Sequence, residues 1–206
     1  MLNATKILSG LLVLICSILV AFGEEVVATA PAGGKDPLVG AREEYASFHP
    51  SENIRDMKVY SRGDEKVGER IFYRNERVAE ERLYQGGQVN GVTRRFYQSG
   101  KLFSELPYEA GKLHGVARFY QENGQLLGES KFEHGTGMLR QFALDSLGLN
   151  DMEMPYQDGV LHGTVREWAH FMGGKGVGCD VMQYVNGNRE GWEVTFNADG
   201  SFKGSA

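Results

Sequence analysis

At 206 residues, with a formal net charge of −5 and both signs interspersed, the chain is long enough for one or two domains. It lacks the basic balance that nucleic-acid binding requires. Glycine is the over-represented residue, 28 of 206, roughly twice the ~7% of an average protein.

Met1 to Gly23 carries Lys6 as its only charge, then an apolar run from Ile7 to Phe22, with small residues Ala21 and Gly23 ahead of Glu24. That is the layout of a secretory signal peptide over 1–23. The run is short for a membrane span, which takes ~20 apolar residues, so the uncleaved membrane anchor is the lesser alternative. Cleavage removes Cys16 and leaves Cys179 alone, with no internal disulfide to form; a lone cysteine is usually a small buried hydrophobe. The expectation is a protein exported to the periplasm or the medium.

Residues 24–53 carry Pro31, Gly33, Gly34, Pro37, Gly40 and Pro50 among alanines and charges, and read as a linker or tether. Ala41 to Phe48 is compatible with a short helical turn.

From residue 54 to 206 the chain repeats. Tyr84, Gly87, Gly91, Phe96, Gly100 and Glu105 return 24 residues later, within a residue, as Tyr108, Gly111, Gly115, Tyr120, Gly124 and Glu129. Phe132, Gly135, Phe142, Gly148 and Glu153 follow; then come Tyr156, Gly159, Gly163 and Trp168. The last copy, Tyr184, Gly187, Gly191, Phe196 and Gly200, is displaced by four extra residues, and a weaker first copy holds Tyr60, Gly63, Gly68, Tyr73 and Glu81. About six 24-residue units at a steady period mean an array of thin modules, each burying its apolar side against its neighbours.

Within a unit, Val92, Arg94 and Phe96 alternate with Thr93 and Arg95, and the pattern recurs at Val116, Arg118, Tyr120 and at Thr164, Arg166, Trp168. Such alternation with β-branched and aromatic members predicts strands. Gln88-Val89-Asn90-Gly91, Lys112-Leu113-His114-Gly115 and Val160-Leu161-His162-Gly163 are the expected turns, and Asn123-Gly124 is a pair that readily takes positive φ. The fold class is therefore all-β: an elongated antiparallel β-hairpin array forming a single twisted sheet of about twelve short strands, two per unit.

Tyr-x-x-Gly-x-x-x-Gly, a strand ending on an aromatic, then Asn-Gly-x-Leu-x-x-Glu, resembles the MORN repeat, and in particular its YwqK-like antitoxin variant. The resemblance covers about Val59 to Phe202 and is strongest over Tyr84 to Glu129. It implies a β-hairpin array that serves as a non-enzymatic binding or scaffolding module. It also implies two alternatives, association with membranes or polyanions, and an antitoxin-like role of binding and neutralising a toxin.

Three rows recur along the units. One is aromatic: Tyr73, Phe96, Tyr120, Phe142, Trp168 and Phe196. Two residues before it stand Arg94, Arg118, Arg140 and Arg166, with Ile71 and Val194 in their place at the ends. The third row is Glu81, Glu105, Glu129 and Glu153. The expectation is a packed aromatic face on which the arginines stack, each neutralised by a glutamate. The competing reading sets the four arginines toward a polyanion or an acidic segment. Tyr108 and Tyr156, on the second strand face, are the candidate aromatic anchors for a protein partner.

Catalytic signatures are absent from the sequence: it has no Gly-x-Ser-x-Gly, no His-Glu-x-x-His, and Gly173 to Gly178 lacks the Gly-Lys-Ser/Thr ending of a phosphate loop. Cys179, His170 and Asp180 have no spacing that fixes a nucleophile. With strands ~4.8 Å apart and two per unit, His114 and His162 fall about 19 Å apart, too far to share a metal. No catalytic, cofactor or metal residues are therefore expected, and the partner to expect is a protein of unknown identity, with peripheral membrane contact as a secondary possibility.

Overall fold

The computed structural model describes residues 35–46, 53–142, 152–170, 177–191, 193–197 and 201–205. The expected signal segment, most of the expected 24–53 linker and most of the Gly173–Gly178 insertion lie outside the described residues.

The described chain is a meander of antiparallel strands. β1 (Arg42–Tyr45) lies at one edge, followed by a hairpin of β2 (Ile54–Arg62) and β3 (Glu65–Tyr73). The second hairpin joins β4 (Val78–Gln85) to β5 (Gln88–Val89) and β6 (Gly91–Phe96). The third joins β7 (Leu102–Glu109) to β8 (Lys112–Leu113) and β9 (Gly115–Tyr120). The fourth is β10 (Leu126–Glu133) with β11 (Thr136–Gln141). The fifth is β12 (Met152–Gln157) with β13 (Val160–Leu161) and β14 (Gly163–His170). The sixth is β15 (Val177–Val185) with β16 (Asn188–Arg189) and β17 (Val194–Phe196), and β18 (Phe202–Ser205) closes the far edge. Each split partner is one strand interrupted by a bulge, so six hairpins supply the twelve expected strands between two edge strands. The sheet is open.

The turns sit earlier than the sequence suggests. Gly86–Gly87, Ala110–Gly111, His134–Gly135, Asp158–Gly159 and Asn186–Gly187 all have positive φ, as at Ala110 (47°) and Gly111 (79°). They make two-residue turns of the I′ kind, whose twist matches the flanking strands. The tetrapeptides expected as turns are instead the start of the returning strand. Its pairing slips by two residues between Tyr108↔Leu113 and Glu105↔Arg118, and His114 and Gly115 lie in that slip. The fourth hairpin has no such bulge, since Thr136–Gln141 runs uninterrupted. Loss of the two-residue bulge brings Phe142 ten residues after Phe132 where Tyr120 stands twelve after Tyr108, while the unit keeps its 24 residues from Phe132 to Tyr156.

Gly115, at φ 104°, pairs across to Phe132, the opening aromatic of the next unit. Gly91↔Tyr108, Gly137↔Tyr156 and Gly163↔Tyr184 repeat the arrangement. At Gly91, Gly115 and Gly163 the glycine answers to a positive φ that L side chains rarely adopt; at Gly137 it answers to the close approach of the Lys131 carbonyl and the Phe132 ring.

Adjacent turns are bonded to each other. The N–H groups of Gly111, Gly135, Gly159 and Gly187 donate to the carbonyls of Val89, Leu113, Gly135 and Leu161 at 2.8 to 3.0 Å. A side chain of the earlier hairpin accepts the N–H just before each glycine. Asn90 Oδ1 takes Ala110 N–H (3.3 Å), His114 Nδ1 takes His134 N–H (3.2 Å), Thr136 Oγ1 takes Asp158 N–H (3.2 Å) and His162 Nδ1 takes Asn186 N–H (3.4 Å). Positive-φ residues would otherwise leave these donors to solvent, so the stacked turns satisfy them internally. This is the work His114 and His162 do at their equivalent positions.

The apolar core lies on one side of the sheet, around Phe103, Ala117, Phe119, Phe132, Leu139, Phe142, Met154, Val165 and Met182. Edge-on ring contacts link Tyr97 to Phe103 (5.4 Å) and Phe103 to Phe119 (5.7 Å), and a tilted one links Phe119 to Phe142 (5.5 Å). The described part of the linker also differs from the expected spacer. Residues 42–45 form a strand paired to β2, with no helical turn. Leu38, 4% exposed, packs where a side chain at Gly68 would sit.

Candidate binding faces

The two faces of the sheet carry different chemistry. On one, the arginine and glutamate rows merge into a single cross-strand ladder. Arg70 pairs with Glu81, Glu81 with Arg94, Arg94 with Glu105, Glu105 with Arg118 and Arg118 with Glu129. Further along, Arg140 pairs with Glu153 and Glu153 with Arg166, before Val181 and Val194 end the row. Opposite charges directly across antiparallel strands attract, and the alternation gives most glutamates an arginine on either side.

All four arginines of the expected row therefore face a carboxylate. Arg94 reaches Glu105 at 3.2 Å and Glu81 at 3.7 Å; Arg118 reaches Glu129 at 2.7 Å; Arg140 and Arg166 share Glu153 at 3.6 and 3.8 Å. In the first unit Arg70, 24 residues before Arg94, holds the ladder position, and Ile71 pairs with Glu80 on the other face. Arg70 is also the most enclosed arginine of the ladder. Burial works against its charge, but hydrogen bonds from its guanidinium to Asp36 and Glu81 outweigh this and raise its pKa.

The expected packing of the arginines on the aromatic row is corrected. Among the described residues, the close cation–ring contacts of arginine are Arg70 over Tyr60 (5.4 Å) and Arg95 over Phe103 (5.8 Å). Neither ring belongs to the predicted row. The main core forms on the opposite face, out of Phe103, Phe119 and their neighbours. Of the row itself, Phe142 joins that core, Tyr120 is buried on the ladder face with its hydroxyl 3.5 Å from Glu105, and Tyr73 donates to the Phe96 carbonyl.

Tyr108 and Tyr156 lie on the core-bearing face, both half-buried against the cluster. Burial pushes the Tyr108 phenol up, and the nearby Tyr156 phenol adds to the effect although it belongs to the hairpin after next. The ring of Phe132 stands edge-on to Tyr156 at 6.1 Å, filling the step between them.

Beside Tyr108 this face holds a cleft of about 320 Å³ lined by Glu80, Arg82, Thr93, Arg95, Phe119 and Gln141 among others. Glu80 pairs with Arg82 and lies 3.6 Å from Arg95. Thr93, 6% exposed, carries its hydroxyl into this region with no hydrogen-bond partner among the described residues. A second cleft of about 550 Å³ continues past Glu80 and Arg95 toward Ile71, Tyr73 and Tyr97. Neither Thr93 nor the Glu80–Arg95 pair is among the residues expected from the sequence. Their signal there is the alternation that sends Thr93 and Arg95 to the side opposite Arg94.

The stacked turns bring together one further group, Glu109, His114 and His134, whose ligand atoms lie within 4.8 Å of one another. The spacing argument from the sequence does not foresee this. Consecutive turns are hydrogen-bonded neighbours, so a residue of one turn meets a residue of the next directly. Cys179 is half-buried, paired across strands with Trp168 and Phe196, and burial pushes its thiol up, away from the thiolate that a nucleophile needs.

The family model of the MORN repeat variant matches residues 89–110 and 113–134, two adjacent units at the centre of the array. No curated protein and no solved structure matches the chain.

Proposed function

We propose that this chain, built on repeats of the MORN-variant family, is a non-enzymatic binding module of the cell envelope that takes a protein partner on its core-bearing face. Repeat proteins of this family bind or scaffold. The finer reading rests on one observation: the Thr93 hydroxyl is buried, with no partner among the described residues, in a cleft walled by the phenol of Tyr108, the ring of Phe119 and the charged trio Glu80, Arg82 and Arg95. A buried polar group left unpaired costs about 1–3 kcal/mol, and a partner's backbone amide or carbonyl entering the cleft would recover it. Aromatic anchors beside a paired arginine are also the usual makeup of an interface hot spot. Export is supported by the layout of 1–23.

A photo-reactive residue at position 108 in the producing cell is expected to trap a discrete protein adduct, while the same residue at Arg118, on the opposite face, traps none. Adducts only from position 118 would move the site to the ladder. Fractionation with N-terminal sequencing of the mature form tests export; an intact Met1 in the membrane fraction would make the leader an anchor.

The alternative of membrane or polyanion association rests on the arginine row. Its support is weaker because each of the four arginines faces a glutamate, which lowers the field that anionic lipid would feel. Salt-sensitive flotation of the protein with anionic vesicles would revive it. An antitoxin-like role is the other alternative, tested by whether co-expression relieves the toxicity of a neighbouring gene product.

A further inference from the structure

We propose that Glu109, His114 and His134 form a binding site for a divalent transition metal of the zinc class at the stacked turns of the third and fourth hairpins. The three come from distinct places that the fold makes adjacent. Glu109 ends β7, His114 is the bulge residue between β8 and β9, and His134 is the first residue of the next I′ turn. Their ligand atoms lie within 4.8 Å of one another. The two imidazole rings are 4.7 Å apart between centroids, and His114 Nε2 is 3.7 Å from Glu109 Oε2. Two imidazoles and a carboxylate are a donor set that zinc favours, with one position left for water. Tetrahedral zinc with ~2.1 Å bonds needs its ligand atoms about 3.4 Å apart, so the group must close by a little over an ångström. Glu109 and His134 are exposed and free to make that movement.

The array supplies its own comparison. His162 occupies the position of His114 in the fifth hairpin and accepts Asn186 N–H in the same way. Turn stacking therefore accounts for a histidine at both places. It does not account for the rest of the group. Where His114 has Glu109 and His134 beside it, His162 has Gln157 and Asn186, neither of which is a strong zinc ligand.

Binding has a structural consequence. His114 Nδ1 accepts the His134 N–H, so the proton of the neutral ring is on Nε2, facing Glu109. Zinc at Nε2 moves that proton to Nδ1, with none gained or lost by the ring, and Nδ1 can no longer accept. The His134 amide is then released to solvent.

The test is calorimetric titration of the full mature chain with zinc chloride alone, together with amide exchange at His134. One zinc per chain is expected, with His134 exchange faster when zinc is present. Glu109→Gln and His134→Asn should each weaken binding by more than about tenfold. Gln157 and Asn186 stand at the same positions elsewhere in the array, so both variants should fold, which circular dichroism verifies. His162→Asn, which installs the residue type that Asn90 supplies at the same place in the second hairpin, should leave binding unchanged. Absence of saturable one-to-one binding, or equal binding by His134→Asn and the unaltered chain, overturns the proposal.

Discussion

The first two hairpins and the four that follow place different residues on the same row of the sheet. On the core-bearing face the N-terminal end of one row pairs Glu69 with Arg82. Further along, that row pairs Leu139 with Met154 and Val165 with Met182. Glu69 and Val165 are nevertheless buried alike, at 6% and 3% exposure. Burial in an array is local: each strand meets only its neighbours, so a charged stretch persists where its ions are mutually paired. Glu69 shows this, held between Lys66 (2.6 Å) and Arg82 (3.0 Å). The apolar stretch adheres by surface removed from water; the charged stretch holds together only while its charges stay matched.

Truncation in the apolar stretch should have the largest effect. Phe119, 2% exposed between Phe103 and Phe142, is expected to cost about 3–5 kcal/mol as Phe119→Ala, read from urea unfolding. A loss near ~1 kcal/mol would mean the rings are not packed as one cluster. Next comes Glu81→Gln, which strips a carboxylate from between Arg70 and Arg94. With the Arg70 and Glu81 side chains 16% and 10% exposed, a loss of about 2 kcal/mol is expected, below the ~3–5 kcal/mol for a fully buried pair.

The matching change in the exposed part of the same ladder, Glu129→Gln, should cost less than about 1 kcal/mol, because Arg118 and Glu129 are both about two-fifths exposed. Equal losses at 81 and 129 would dissolve the distinction between the two stretches. The smallest effect is one of pH. Hydrogen bonds from Arg70 hold the Asp36 carboxyl below its ordinary 3.8. A lowered folded value stabilises above the ordinary one and is lost as pH falls through the folded one. Amide exchange at Leu38, whose N–H bonds Asp36 Oδ1, should therefore quicken below about pH 3.8 before the central hairpins respond.

The period, the twelve hairpin strands and the Arg–Glu neutralisation are legible because each follows from spacing within one unit. Arg94 and Glu105 are eleven residues apart and meet across one hairpin connection. The packed face is misjudged from the sequence for a related reason. Phe96 and Tyr120 follow the period, whereas Phe103 sits in the bulge opposite Arg95 and Phe96, and Phe119 faces the core by alternation beside Arg118. Counting two residues back from Tyr73 points to Ile71, whereas Arg70 keeps the 24-residue step to Arg94, and the bulges of the returning strands place each I′ turn ahead of the glycine that seems to mark it.

By itself the sequence determined that this protein is a hairpin array with its charges alternating across strands, because a side-chain period of two and a unit period of 24 leave little other choice. Only the tertiary structure decided which face is dry, which turns touch, and that Glu109, His114 and His134 come together. Those outcomes depend on the register between units, set by one- and two-residue bulges and by hydrogen bonds from turn to turn, and no single unit contains that information.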